Sequence, residues 1–378
     1  MNSEKRRKAR RDRRERKRAE KRARRIKDCT FEAMTDMNAL YRAQRDASRG
    51  VKWKASTQRY QARWLENIHR MKEALVNGEE VCMGFHEFDL VERGKARHIS
   101  SVHFSERVPQ KSLTQNVLIP AISPSLVAGN SANIKGRGID YALKRIKADL
   151  TKHYRRYGIE GYILQIDYAD YFASIRHDPV KDLISKHVDD PRVVTLAHHF
   201  VDVQGEIGLG LGSEPNQIEA VSLPNPIDHF IVECLGVEAY GRYMDDSYLI
   251  HRDKEHLHIC LDLIRDRCAE IGIRLNEKKT HIVKLSRGFT FLKKRIYYGK
   301  SGKVVMRPCR DAITRARRIM KRHARLVKDG IMDYSDAYLS YQSRRGSLLN
   351  LDAHETLLSL DALFKELYRD IDKNDRLP

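Results

Sequence analysis

The sequence predicts a protein of the α+β class, with helical regions at both ends and paired strands between them. Apolar residues recur at intervals of three and four between residues 29 and 78 and again over the last 70 residues, which is typical of helices with one buried face. Short runs of aromatic and β-branched residues, separated by turn-forming residues, favour hairpins in the middle of the chain. At 378 residues the chain is long enough for two or three lobes around one continuous core.

Charge and composition narrow the possible functions. A net charge of +21 is typical of proteins that bind polyanions, so nucleic acid is the expected partner. We expect a cytoplasmic protein with no membrane partner, because the sequence has neither an apolar run of about 18 residues nor an apolar N-terminal stretch. The six cysteines form no CxxC pair, which argues against a zinc ribbon and against a disulfide framework.

The first 28 residues are predicted to be a basic arm. Residues 1–27 contain sixteen Lys or Arg against four Asp or Glu, with almost no apolar side chain to bury. Such a segment is either a solvated helix supported by Glu–Arg pairs or a tail without fixed structure. We expect the arm to bind RNA; the alternative is an extension that only improves solubility.

Helices are predicted between residues 29 and 78, over 29–49 and 56–77. Ser56 can cap the second helix, and Gly50 and Gly78 can end the two helices. The apolar residues that recur along the second helix are Tyr60, Trp64, Ile68, Met71 and Leu75. Both helices should therefore have a buried face.

A β-hairpin is predicted over residues 81–104, because aromatic and β-branched residues flank the turn-forming stretch 92–95. Helical spacing returns in the final 70 residues, where one segment is strongly basic. Its basic residues are Arg315, Arg317, Arg318, Lys321, Arg322 and Arg325. The chain should therefore end in a helical, basic lobe.

Two further stretches end in aspartates. Residues 161–166 are predicted to be a buried strand that ends at Asp167, and residues 239–251 to be two strands joined by a turn that carries Asp245 and Asp246. Adjacent carboxylates repel each other, so water or a cation must neutralise them, and a divalent metal is the usual remedy. For the Asp-Asp pair alone, a solvated turn is the alternative.

Tyr243-Met244-Asp245-Asp246 between two apolar strands is the signature of reverse transcriptases. It stands in order with other stretches that match the family's motifs, namely 106–113, 161–175, 205–217, 272–280 and 288–292. The sequence therefore resembles reverse transcriptases over nearly its whole length after about residue 50. Its Gly210-Leu211-Gly212 and Asn216-Gln217 replace the Pro-Gln-Gly and Ser-Pro of many members. This form is closer to bacterial enzymes of retroelement origin, of the diversity-generating, group II intron-like and defence-associated types.

This resemblance implies a right-hand polymerase fold, with fingers, a palm that contains an antiparallel sheet and helices, and a helical thumb. The domains that it implies are a basic helical arm (1–28), N-terminal helices (29–78), fingers (79–160), a palm (161–304) and a thumb (305–378). The palm would contain the Asp167 motif, the loop 208–217, the hairpin 243–246 and the primer grip 288–292.

The catalytic residues that the resemblance implies are Asp167, Asp245, Asp246 and Lys279. Strands of the palm would deliver Asp167 beside the other two aspartates, where two Mg²⁺ ions, or Mn²⁺, would bind. Tyr168 is also among the implied metal-binding residues. Lys279 would protonate the departing pyrophosphate; a solvated loop lysine is the alternative.

Nucleotide-binding residues are implied on three segments. Lys95 and Arg97 on the fingers hairpin would grip the triphosphate, with a solvated charge as the alternative for each. Phe172 would be an aromatic gate that collides with a 2′-hydroxyl, unless it is a core residue. The loop residues implied to contact the nucleotide are Leu211, Gly212 and Gln217, with glycine allowing the backbone to approach the template base and the sugar. Because Leu211 stands where other members have glutamine, base selection should be loose.

Nucleic-acid contacts are implied from the fingers to the thumb. Arg107 would line the template path, Lys135 and Arg137 would contact phosphates, and Phe289 would belong to the primer grip. The other residues implied to contact nucleic acid are Tyr243, Arg317, Arg318 and Lys321.

The function implied is RNA-directed DNA synthesis from dNTPs on an RNA template, with a DNA or RNA primer. A dedicated noncoding RNA and an accessory protein are possible further partners. The biological role stays open among antiviral defence, hypermutation and retroelement mobility. The alternatives are an RNA-synthesising, protein-primed or template-independent polymerase on the same fold, and a module that binds RNA without catalysis.

Overall fold

The computed structural model describes residues 3–92 and 95–369, apart from the side chains of Ser3, Glu4, Glu92, Lys95 and Arg97. Its N-terminal region consists of the helices α1 (Ser3–Asp28), α2 (Phe31–Thr35), α3 (Met37–Ala47), α4 (Ala55–Ala62) and α5 (Trp64–Asn77). α1 has no buried face, because from residue 5 to residue 28 every side chain is exposed except the half-buried Arg25. The basic arm is therefore a solvated helix, one of the two forms that its composition allows.

The single helices predicted over 29–49 and 56–77 are both wrong, because the structure divides the first into α2 and α3 and the second into α4 and α5. The first breaks at Asp36, where ψ is 138°. The second breaks at Arg63, whose backbone (φ −126°, ψ 40°) leaves the helical region. Ser56 lies inside the first turn of α4 and makes no capping hydrogen bond. The Asn67 amide donates a 3.0 Å hydrogen bond to the Tyr60 carbonyl, so an acceptor near the break is satisfied without the helical ladder.

Strands β1 (Phe85–Glu92) and β2 (Lys95–Val102) form the predicted hairpin, in a register that pairs Phe85 with Val102. Within the described part of the chain, no third strand pairs with them. The chain then becomes helical. The elements that follow are α6 (Phe104–Leu113), a π-helical stretch (Thr114–Leu118), α7 (Ile119–Ile122), a 3₁₀ turn (Ser123–Ser125) and α8 (Ile139–Tyr157).

Four antiparallel strands form the central sheet, in the order β4-β5-β3-β6. They are β3 (Tyr162–Ile166), β4 (Ala239–Tyr243), β5 (Asp246–His251) and β6 (His281–Lys284). Leu164, Ile166 and Leu249 contribute to the main core, whereas Ile163 and Ile250 pack with α8 and the second sheet. The alternation of buried residues along β3 therefore joins two cores through one sheet.

Helices connect the strands of the central sheet and cover its larger core. They are α9 (Tyr171–Ser174), α10 (His177–His187), α11 (Pro191–Asp202), α12 (Pro215–Ser222), α13 (Asn225–Cys234) and α14 (Lys254–Glu270). Asp253 caps α14 by accepting a hydrogen bond from the backbone N–H of Glu255. These helices fix the positions at which the strands begin and end.

A second sheet and a helical bundle complete the described chain. The sheet has the order β7-β8-β9, with β7 (Phe289–Phe291), β8 (Lys294–Tyr298) and β9 (Val304–Pro308). The bundle consists of α15 (Arg310–Lys328), α16 (Tyr334–Leu349) and α17 (His354–Leu367), with its own apolar core. No described helix combines the length and apolar character that a bilayer crossing requires. The predicted mixture of helices and antiparallel sheet is confirmed.

Candidate active site

The end of β3 and the beginning of β5 bring two of the three predicted aspartates together. Antiparallel pairing places Ile166 opposite Ser247. Asp167 follows Ile166 and Asp246 precedes Ser247, so the two aspartates are neighbours across the sheet. Asp167 is only 7% exposed, and the Asp167 and Asp246 carboxyl groups interact directly. Asp245 occupies the adjoining turn, close enough to act on the charge of Asp246. The three carboxyl groups predicted from sequence therefore share one small region.

The electrostatics of this region favour a cation. Burial, together with the neighbouring charges of Asp245 and Asp167, raises the pKa of Asp246 to about 7. A carboxyl group in such a position holds its proton near neutral pH unless positive charge compensates for the repulsion. The ammonium group of Lys279 acts in the opposite direction and lowers this pKa.

Lys279 binds Asp167 directly. Its Nζ donates hydrogen bonds to both carboxylate oxygens of Asp167, each 2.8 Å long, and this contact raises the pKa of the lysine. The turn that carries the lysine is fixed to the same strand end, because the backbone N–H of Asn276 donates to the Asp167 carbonyl at 2.8 Å. The ammonium group therefore occupies one side of the carboxylate cluster, where positive charge is needed.

A buried ion pair supports the turn that carries Asp245. Arg242 and Asp228 have side chains that are 0% exposed, and their closest N–O distance is 2.5 Å. Arg242 also donates to the carbonyl of Met244 at 3.0 Å and to that of Val221 at 2.8 Å. Met244 itself has a positive φ of 57°, which is unfavourable for a non-glycine residue. Arg242 thus secures a strained turn directly beside the catalytic candidates.

Sequence reasoning missed Arg242 and Asp228. A charged residue can stand within a strand whose other residues follow the usual alternation of apolar and polar side chains. Such a pattern does not reveal which distant residue will pair with the charge. The one available signal was an arginine next to the Tyr-Met-Asp-Asp motif at a position that β4 buries. Such a residue requires a buried partner.

Tyr168 offers only its backbone to the carboxylate cluster. Its side chain is 4% exposed and packs against Tyr171, with ring centroids 5.1 Å apart. Burial raises the pKa of this phenol well above its usual value, which removes it as an anionic ligand. The side chain of Tyr168 therefore serves packing, and the expectation that this residue binds metal stays a prediction.

Phe172 lies beneath the Gly-rich loop. The backbone N–H of Leu209 donates to the Phe172 carbonyl at 2.8 Å, and that of Gly208 donates to the Ile175 carbonyl at 2.8 Å. The Phe172 ring is half-buried against the main core, with an edge toward Tyr171. Phe172 thus contributes to core packing, and its role as an aromatic gate stays a prediction.

The loop 208–217 also contacts the β1–β2 hairpin. A Cβ added at Gly212 would lie 2.4 Å from the Ser100 carbonyl oxygen of β2, so only glycine fits there. Gln204 and Asn216 brace the loop: Gln204 accepts from the backbone N–H of Gly210 at 2.6 Å, and the Asn216 amide donates to the Gly210 carbonyl at 2.7 Å.

Two further nucleotide-binding candidates belong to the same loop. Leu211 and Gln217 are both half-buried. The side-chain oxygen Oε1 of Gln217 accepts a 3.3 Å hydrogen bond from the side-chain amide of Asn133, so the Gln217 side chain is partly engaged within the protein. The side chains of Lys95 and Arg97, predicted to bind the triphosphate, lie outside the described residues.

The residues predicted to contact nucleic acid differ in how exposed their side chains are. Arg107 is half-buried in a cleft of about 450 Å³ between the hairpin and α4, and Lys135 is exposed. Arg137 donates to the carbonyls of Val127 and Asn130 at 3.2 and 2.7 Å, which gives it a structural role beside any phosphate contact.

The remaining candidates lie on β4, β7 and α15. Tyr243 is half-buried between the two cores, whereas Arg317, Arg318 and Lys321 are exposed on α15. Phe289 is 3% exposed and belongs to the second core, so its side chain packs inside the protein, and its place in a primer grip stays a prediction. Its turn still borders a cleft of about 560 Å³ that Asp167, Asp246 and Lys279 also line.

Part of this region matches the model of a known protein family. Residues 217–296 match the family model described as reverse transcriptase (RNA-dependent DNA polymerase). This segment contains Asp245, Asp246 and Lys279, whereas Asp167 lies outside it. The matched segment is thus similar to part of a nucleotidyltransferase domain of the RNA-directed DNA polymerase type. No curated protein matches the chain.

Two solved structures similar to this chain are fungal telomerases. The apo telomerase of Candida tropicalis, truncated from its C-terminal domain, is 14% identical, with a TM-score of 0.43 over 59% of this chain and 54% of that one. The telomerase of Candida albicans, in complex with a fragment of telomeric RNA, is 12% identical, with a TM-score of 0.49 over 83% of this chain and 62% of that one. The chain thus covers less than two thirds of either protein.

Proposed function

We propose that this protein is a reverse transcriptase that copies RNA into DNA by two-metal nucleotidyl transfer. The observation that carries the proposal is the meeting of Asp167, Asp245, Asp246 and Lys279 where β3 ends and the β4–β5 turn begins. Carboxylates from neighbouring strands at one point are what a two-metal phosphoryl-transfer site needs. The family match over residues 217–296 supports the same reaction class.

The residues at this site fit magnesium ions. Asp167, Asp245 and Asp246 provide carboxylate oxygens, which Mg²⁺ prefers, and Mn²⁺ accepts the same donors. The raised pKa of Asp246 supports this assignment, because burial and the charges of Asp245 and Asp167 together outweigh the effect of Lys279, and a bound cation would offset both. When bound, two such ions would activate the primer 3′-hydroxyl and neutralise the triphosphate.

The protein's own contribution is to hold charge and to move one proton. Lys279 would give up part of its contact with Asp167 if cations occupied the carboxylates, and its Nζ would then supply the proton for the pyrophosphate that leaves. Arg242 keeps the Asp245 turn in place while this exchange occurs. Phe172 and the loop 208–217 would bound the sugar and base of the incoming dNTP.

The same proposal assigns regions to the parts of a right-hand polymerase. The hairpin β1–β2 with α6 to α8 would be the fingers, the central and second sheets with their helices the palm, and α15 to α17 the thumb. Template and primer would contact the exposed cations of α15, and α1 would bind RNA through its solvated basic surface. A bacterial retroelement or defence role is the finer proposal, which the form of the loop at Leu211 supports.

Substitution of Asp245 tests the proposal. Primer extension on an RNA template with Mg²⁺ should fall by a factor of at least about 100 in Asp245→Asn, because one charged metal ligand is lost. Asp178→Asn is the matched control, since the Asp178 side chain is 83% exposed. An unchanged melting temperature would show that the fold is intact. Extension at a near wild-type rate by a folded Asp245→Asn protein would reject the proposal.

A further inference from the structure

A second group of metal-binding side chains lies away from the aspartate cluster. Glu80, Cys82 and His199 place a carboxylate oxygen, a thiol sulphur and an imidazole nitrogen within 4.8 Å of one another. Two of these residues come from the segment between α5 and β1, and His199 comes from α11. The donors therefore meet from separate parts of the fold.

Existing contacts already fix these side chains. The Glu80 carboxylate lies 3.0 Å from Nε2 of His199 and accepts a 2.6 Å hydrogen bond from the backbone N–H of Cys82. Little movement is needed for the donors to turn toward a shared ion. Tetrahedral zinc requires metal–ligand distances of about 2.0–2.3 Å, which rotation of these side chains can provide.

A fourth donor is available beside the thiol. Glu106 of α6 is 1% exposed and interacts with the Cys82 side chain. Its two carboxylate oxygens also accept hydrogen bonds from the backbone N–H of Met83, at 3.1 Å, and from the Gln110 amide, at 2.9 Å. The carboxylate is thus held in place by its neighbours, as ligands to structural metals generally are.

We propose that Glu80, Cys82 and His199 bind one zinc ion, with Glu106 or a water molecule as the fourth ligand. The mixed set of sulphur, nitrogen and oxygen donors suits zinc, whereas magnesium and calcium take oxygen ligands. The ion has room to enter, because a cavity of about 890 Å³ borders both Glu80 and His199. This proposal does not depend on the polymerase assignment.

The ion would fasten the base of the β1–β2 hairpin. Residues 79–84 have no helix or strand of their own, and they lead directly into β1. A bound metal would join this segment to α11, with a further connection to α6 through Glu106. Because β2 packs against Gly212, the bound metal would stabilise the hairpin at the point where the hairpin meets the Gly-rich loop.

Cobalt binding tests the site, because Co²⁺ takes zinc positions and absorbs strongly in the near ultraviolet when a thiolate is a ligand. Full-length protein freed of metal by chelation is titrated with Co²⁺. The wild type and the control Cys234→Ser, which changes an exposed cysteine, should each develop the thiolate band with one ion per chain. Cys82→Ser should lose the band, and His199→Gln should weaken binding at least tenfold.

A second measurement needs no variant and so does not depend on how well one folds. Site-resolved mass spectrometry of the wild type would follow alkylation of Cys82, with exposed Cys234 as the internal reference. Zinc should slow alkylation of Cys82 at least tenfold and leave Cys234 unchanged. The proposal is overturned if wild type gives no thiolate band, if Cys82→Ser keeps it, or if zinc leaves the alkylation of Cys82 unaffected.

Discussion

Removal of the Arg242 side chain should destabilise the protein and impair catalysis by two separable routes. In Arg242→Met, the Asp228 carboxylate stays fully buried and keeps only the Tyr240 hydroxyl as a described hydrogen-bond donor. Loss of one partner from a buried ion pair costs about 3–5 kcal/mol, because the remaining charge is desolvated and uncompensated. The free energy of unfolding should fall by this amount.

The double variant Arg242→Met/Asp228→Leu separates stability from positioning. With both charges removed, the desolvation penalty disappears, and replacement of a buried pair by apolar residues is often neutral or stabilising. The double variant should therefore recover to within about 2 kcal/mol of wild type. It still lacks the 3.0 Å hydrogen bond to the Met244 carbonyl, so the turn beside Asp245 stays unsupported.

Chemical denaturation and primer extension, measured on the same preparations, distinguish the two routes. Displacement of a catalytic group by about 1 Å can cost roughly 100-fold in rate, so the double variant should stay at least tenfold below wild type in kcat. Arg145→Met is the control, because Arg145 donates to the Tyr240 carbonyl of the same strand but is only half-buried. A double variant with full activity would refute the positioning role, and a single variant that loses under 1 kcal/mol would refute the buried-pair argument.

Four further outcomes follow from the site. Because the pKa of Asp246 is raised to about 7, protons compete with metal there, and the apparent affinity for Mg²⁺ in primer extension should fall about tenfold per pH unit below 7; a flat profile would contradict this. The Glu219 carboxyl group is fully buried and has no hydrogen-bond partner among the described residues, and burial raises its pKa from 4.5 to about 8. The folded protein therefore binds a proton on Glu219 more tightly than the unfolded chain does. The stabilisation that this proton provides is complete below pH 4.5 and is lost as the pH rises through 8. Between pH 5 and 8, wild type should lose about 4 kcal/mol of unfolding free energy relative to Glu219→Gln, and parallel pH curves would contradict this. Phe172→Ala should reduce discrimination between dNTPs and rNTPs at least tenfold, about 1.4 kcal/mol, by opening space for a 2′-hydroxyl; unchanged discrimination would make Phe172 purely a core residue. Leu211→Gln should lower the error rate in sequenced products, since glutamine offers hydrogen bonds to the nucleotide that leucine lacks, and an unchanged error spectrum would indicate a packing role.

The strands that carry the aspartates were predictable from local patterns. β3 and the β4–β5 hairpin follow from runs of apolar and β-branched residues bounded by turn residues, and these signals are contained within a few neighbouring positions. The pairing of β3 with β5, which places Asp167 beside Asp246, joins distant parts of the chain, and only the resemblance to reverse transcriptases implied it. Short-range chemistry thus determines the strands but not their pairing.

Features that depend on distant partners were not predictable. The break at Arg63 interrupts a regular helical spacing without proline or glycine, and the burial of Phe289 depends on a sheet that packs over it. A hydrophobic residue beside a predicted turn can face either a ligand or the core, and local pattern does not distinguish the two. Arg242 is the strongest case, since its partner Asp228 is 14 residues away on another element.

Gly212 has a structural requirement that the resemblance did not imply. The resemblance explains this glycine by the approach of template and nucleotide to the loop backbone. In the structure, the space beside its Cα is already filled by the Ser100 carbonyl of β2, at 2.4 Å from an ideal Cβ. The protein itself therefore demands glycine there, with or without nucleic acid. Because this contact joins the Gly-rich loop to the hairpin that carries Lys95 and Arg97, a shift of Ser100 toward Gly212 would press on the loop beside Leu211.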